Sequence, residues 1–196
     1  MKVMDSPFGG TAMEAYRRSG IEEQVKKSGG EMVLMSDYKY ISTDIPEGID
    51  LKKCDIYDDI LKADVFINVP VAKTHGLTKL TLGMKNLLGV IKDRPSIHLN
   101  ISQRIADLNS RLRPTLTIID AVRILMDNGP TGGNLNDVKE MNTIIISADT
   151  VAADSYASRL FGMQPKDLGY INAAVSMKLG RSDLKNLQIE EINLNA

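Results

Sequence analysis

Apolar positions along the chain repeat with two periods, and the switches between them divide it into alternating elements. Val65 to Val69, Thr115 to Ile119 and Met141 to Ser147 are short, β-branched runs that predict buried strands. Leu80, Met84, Leu87, Leu88 and Ile91 follow the spacing of one helix face, and Ile97, Ile101, Ile105, Leu108 and Leu112 mark another. A helix from Ala12 runs past Gly20 to Lys27, and Thr150 to Leu160 and Leu168 to Lys178 predict two more. Glu31 to Met35 reads as a second strand after a short one near Lys2, and Tyr57 to Ala63 as a short helix. Tyr38 to Thr43 and Ile49 to Cys54, turned by Pro46-Glu47-Gly48, predict a small β excursion near residues 38–54, and Leu187 to Leu194 a last strand. This order predicts one three-layer α/β domain over residues 1–196 with a mostly parallel sheet.

Composition narrows the partners. A hydrophobic fraction of 43% over 196 residues is enough for a full core. A net charge of −1 excludes the basic imbalance of general nucleic-acid or anionic-membrane binders. No run reaches the ~18 apolar residues of a membrane span, and the N-terminus lacks the layout of a secretory signal, so the cytoplasm is the expected place. Cys54 is the only cysteine. The chain therefore cannot by itself supply the thiolates of an iron–sulfur cluster.

Candidate chemistry gathers after Pro70, which ends the predicted strand ladder because it lacks an N–H. Lys73, Thr74, His75 and Gly76 then fall in a loop at a strand's carboxyl end, where ligands sit in open parallel sheets. From Asn68 to His98 five cations, Lys73, Lys79, Lys85, Lys92 and Arg94, face Asp93 alone. Such a concentration around two histidines suggests a pocket for an anion; a solvated helix face with two unrelated histidines is the plain alternative. Asp120 and Asp149 follow two other strands and share that edge if the strands are parallel, although Asp120 could equally cap a helix from Ala121. Asp154 near a helix start could be there for the dipole alone. Asn128 to Asn134 is a glycine-rich loop, and Asp5 to Thr11 forms a strand–glycine loop–helix link that lacks the dinucleotide and phosphate-loop patterns.

Asp64, Asn68-Val69-Pro70, Lys73-Thr74-His75, Lys85-Asn86-Leu87-Leu88-Gly89, Arg94 with His98, Asp120, Gly129-Pro130 with Gly132 or Gly133, and Asp154 together resemble domain of unknown function 362. Members of that family are often joined to ferredoxin-like iron–sulfur modules, so the resemblance implies a redox or anaerobic context without supplying a reaction. Relatives also carry an N-terminal α/β segment ahead of the position of Lys2. The resemblance therefore implies either a sheet lacking that segment or one completed by another subunit.

Three functional readings follow. In the first, an enzyme of open reaction type or a cofactor-holding protein binds a carboxylated or phosphorylated small molecule through Lys73, Thr74, Lys85, Asn86, Arg94, Gly129 and Asp154. His75 or His98 would exchange a proton, oriented by Asp120 or Asp154. In the second, the cations dock an acidic ferredoxin-like partner without catalysis. In the third, His75, His98, Asp120 and Asp154 hold a metal, against the charge of the neighbouring lysines.

Overall fold

The computed structural model describes residues 1–131 and 133–193. Strands β1 (Lys2–Val3) and β2 (Glu31–Met32) pair in parallel, joined through helices α1 (Ala12–Arg18) and α2 (Ile21–Lys27). Thr11 and Glu14 close α1 reciprocally, each side chain facing the other's backbone N–H. The helix expected to run past Gly20 is split there, because Gly20 takes a left-handed φ of 76° and donates its N–H back to Arg17. The β excursion is an antiparallel hairpin of β3 (Tyr40–Asp44) and β4 (Lys53–Tyr57), and α3 (Asp58–Leu61) follows it.

The central sheet is built on β8 (Leu116–Leu125), which is longer than the predicted run because it continues through Asp120. Along one edge of β8 lie β5 (Ile67–Asn68) and β6 (Val71–His75), both parallel to it. Pro70 interrupts this edge, yet its carbonyl accepts from Asp120 N–H at 2.8 Å and the ladder resumes. Lys73, Thr74 and His75 thus stand on a strand and not in a loop. β7 (Lys79–Thr81) turns back antiparallel on β6, and β9 (Val138–Ser147) runs antiparallel to β8 with Thr117 opposite Ser147. That reversal sends Asp149 to the end of the sheet opposite the one expected. There it caps α7 (Thr150–Ser158) by accepting from Ala152 N–H at 3.0 Å.

The long helix expected over Leu80 to Ile91 is replaced by β7, α4 (Gly83–Asn86) and a 3₁₀ turn. Its apolar set is nevertheless buried throughout: Leu80, Met84, Leu87, Leu88 and Ile91 all belong to the core. Helix α4 starts only at Gly83 because a carboxylate from α7 captures the amides there, as described below. α5 (Arg94–Ile97) is capped by Asp93, and a 3₁₀ turn separates it from α6 (Ile101–Arg111). After α8 (Gly169–Ser176) no strand forms among the described residues 187–193, and Leu194 lies outside them.

Strand alternation sorts the sheet into two faces. Asn68, Thr117, Ile119, Ala121 and Ile145 are buried on the face carrying α4 and α7: Asn68 Nδ2 donates to Gly83 O at 2.9 Å, and the Thr117 and Thr150 hydroxyls meet at 2.8 Å. The opposite face presents Ile67, Val69, Val71, Ile144 and Ile146 to solvent.

Candidate anion-binding site

His75 closes the β6–β7 hairpin opposite Lys79. Its Nδ1 accepts the N–H groups of Leu77 at 3.1 Å and Thr78 at 3.4 Å, so the neutral ring carries its proton on Nε2. Burial first, and then the positive charges of Lys85, His98 and Lys73, hold the His75 pKa down at about 4. The ring is therefore a neutral N–H donor at physiological pH, not a base.

Lys85, at the other end of α4 from its start, is pushed down to about 8 by burial first and by Lys73 second. Lys73 is lowered by burial while Asp5 opposes the shift, and its Nζ donates to Val71 O at 2.9 Å. Lys73, His75, Lys85 and His98 thus share one electrostatic neighbourhood, with His98 in an exposed turn after α5. Among the described residues no ion pair includes Lys73 or Lys85, and the Lys85 ammonium has no hydrogen-bond partner.

The remaining predicted residues serve other groups. Thr74 Oγ1 accepts from Gly129 N–H at 3.2 Å, and any side chain at Gly129 would strike the Thr74 carbonyl, so the glycine loop is seated on β6. Gly132 lies outside the described residues. Arg94 donates to Ser6 O, Ser6 Oγ and Pro7 O, each at 3.0 Å, and so fastens the N-terminal loop. Asn86 donates to Asn68 Oδ1 at 2.9 Å, tying α4 to β5.

Asp154 is fully buried, and its two oxygens accept from Gly83 N–H at 2.7 Å and Met84 N–H at 2.9 Å. Burial pushes its carboxyl up to about 7 although both amides pull it down. A residue so engaged orients no imidazole and meets no ligand. Asp120 stands mid-strand between Val71 and Ile144, accepting from Val122 N–H at 2.9 Å. The ligand set His75, His98, Asp120 and Asp154 is therefore not assembled, and no group of three or more His, Cys, Asp or Glu among the described residues could hold a metal.

One participant escaped the sequence reading. Asp5, partly open to solvent, enters the cationic neighbourhood: packing round its carboxylate pushes its pKa up, against Ser6 N–H, Arg94 and Lys73. Its N–H donates to Tyr16 Oη at 3.1 Å, and its carboxylate lies against Gly89, where a Cβ would push Asp5 Oδ1 aside. The glycine of the Lys85–Gly89 motif and the N-terminal glycine loop were the available signals. Two surface depressions, of about 520 Å³ beside Arg159 and Lys185 and about 240 Å³ beside Asn109 and Asp149, lie elsewhere.

A family described as "Domain of unknown function (DUF362)" matches residues 1–159. The chain is also similar to the Thylakoid-associated protein sll1697 of Synechocystis sp. (strain ATCC 27184 / PCC 6803 / Kazusa), at 26% identity over 116 residues. That alignment covers 55% of this chain and 35% of the relative, so the chain spans about a third of the relative's length. No solved structure matches. Among the described residues no helix is long and apolar enough to cross a membrane.

Proposed function

We propose, from the premise that this chain belongs to the domain of unknown function 362 (DUF362) family, that it binds a carboxylated or phosphorylated small molecule between Lys73, Lys85, His75 and His98. The observation that carries this reading is Lys85, a half-buried ammonium beside a second lysine with no counter-charge of its own. A protein meets a charge it removes from water with a partner, or leaves it to be met by a ligand. Lys73 and Lys85 would supply charge, and His75 Nε2–H a directional donor. Should chemistry follow binding, the role of acid or base falls to His98 and not to His75, which is held neutral with Nδ1 occupied. The reaction belongs with the redox or anaerobic context expected of the family, in the cytoplasm.

The accessory reading, docking of an acidic ferredoxin-like protein, needs cations displayed outward over a broad area. Half-buried lysines at positions 73 and 85 favour a small ion instead.

Thermal unfolding in sulfate, phosphate or succinate, against chloride at matched ionic strength, tests the proposal. A native-state ligand at a hundredfold excess over its Kd adds about 2.7 kcal/mol of stability. Larger melting shifts in the oxyanions are expected, and equal shifts in all salts would mean general screening and overturn the reading.

A further inference from the structure

The exposed face of the central sheet is an ordered aliphatic grid. Register places Ile67 beside Leu116, Ile118 beside Ile146, and Val71 and Ile144 on either side of Asp120, with Val69 between the first and last of these rows. Val65, Ile67, Val69, Val71, Ile144 and Ile146 are 44–62% exposed. The strands themselves are near-continuous apolar runs, the composition of strands covered on both faces. Helices cover one.

We propose that a second copy of this chain covers the other face, in an isologous dimer whose two sheets stack with their aliphatic grids interleaved. The inference is independent of the anion site. Five of these side chains stand on the sheet and Val65 in the bend that leads into β5, and together they expose on the order of 500 Å², in the upper range of patches on monomers and toward the low end of what one partner contributes to a specific interface. A pleated grid of β-branched residues is complementary to its own two-fold copy, since ridges of one sheet fit the furrows of another about 10 Å away. A lipid surface fits less well. The grid holds no aromatic side chain, the carboxylate of Asp120 lies within it, and the cation that adjoins it on β6, Lys73, is turned back onto Val71 O at 2.9 Å, whereas interfacial membrane segments carry Trp or Phe with outward Lys or Arg. Asp120 acts as a brake on the dimer, because its carboxylate, held among the described residues by Val122 N–H alone, loses water on stacking.

Analytical ultracentrifugation of the whole chain, from about 1 to about 100 µM, a span that covers ordinary interface affinities, tests this. The expected result is a species of twice 21.5 kDa. Ile146→Asp should weaken its dissociation constant at least ~100-fold, as loss of a central apolar contact does, and Asp120→Asn should tighten it about 10-fold, the effect of relieving a modest desolvation cost. Should Ile146→Asp not fold by circular dichroism, hydrogen exchange of wild type supplies the second readout: amides of β8 and β9 should gain protection as concentration rises. A wild-type chain that stays monomeric at the highest concentration overturns the proposal. So does a dimer untouched by Ile146→Asp, or a monomer that floats with phosphatidylcholine–phosphatidylglycerol vesicles.

Discussion

The two ends of α4 treat charge in opposite ways. At its start the buried carboxylate of Asp154 is met on both oxygens by the amides of Gly83 and Met84. One residue further on, the ammonium of Lys85 is half-buried beside Lys73 and met by nothing among the described residues. The satisfied charge holds the fold: it begins the helix, shortens the element the periodicity predicts, and leaves no valence for anything else. The unsatisfied charge costs the fold some stability, because burial and Lys73 both disfavour its charged form, and in the proposed reading it waits for an incoming anion. Residues drawn from one set of sequence motifs are therefore divided in purpose, and satisfaction of hydrogen bonds separates the two.

The contrast breaks hardest at Asp154. Asp154→Ala strands two buried amides and opens a hole, so a loss of about 3 kcal/mol is expected in urea unfolding, the sum of unmet donors and a lost cap. Gly83→Ala should follow at about 2 kcal/mol, a typical overpacking cost, because a Cβ there would lie 2.8 Å from Asp154 Oδ1 and 2.9 Å from the Thr117 and Thr150 methyls. Gly76→Ala, with open space around it, is the matched control and should leave the urea midpoint within about 0.5 kcal/mol.

His75 sharpens the comparison through pH. Its folded pKa of about 4 lies below the ordinary value of 6.5. Between those two values the unfolded chain holds more protons than the folded one, so stability rises with pH across the window and its contribution is lost as pH falls toward 4. His75→Gln should flatten this acid limb in urea midpoints taken from pH 4 to pH 7. An unchanged slope would mean that the imidazole is not held neutral.

Much of this was legible in the sequence, in a particular way. The apolar set Leu80, Met84, Leu87, Leu88 and Ile91 is buried as its spacing implies, but burial periodicity does not reveal that Asp154, seventy residues away in the chain, will cut the helix short. Likewise the clustering of Lys73, His75, Lys85 and His98 could be inferred from charge density along one segment. The roles of Asp120 and Asp149 could not, because they depended on strand direction: β9 runs antiparallel, and β8 continues where a strand end was expected. Asp5 joins through a contact between the N-terminal loop and Gly89, which no local pattern encodes.

The division of labour along α4 is tested most directly by Lys85→Met, which keeps an unbranched stem and deletes the cation. Sulfate binding by isothermal titration calorimetry should weaken at least ~10-fold, the order of one lost charge-assisted contact, while stability in urea falls by no more than about 1 kcal/mol and can rise, because the deleted cation was disfavoured by burial. Wild-type affinity should also fall as pH rises through about 8, where Lys85 gives up its proton, and the variant should show no such dependence. Unchanged sulfate affinity in Lys85→Met, or a large loss of stability without ligand, would contradict the account.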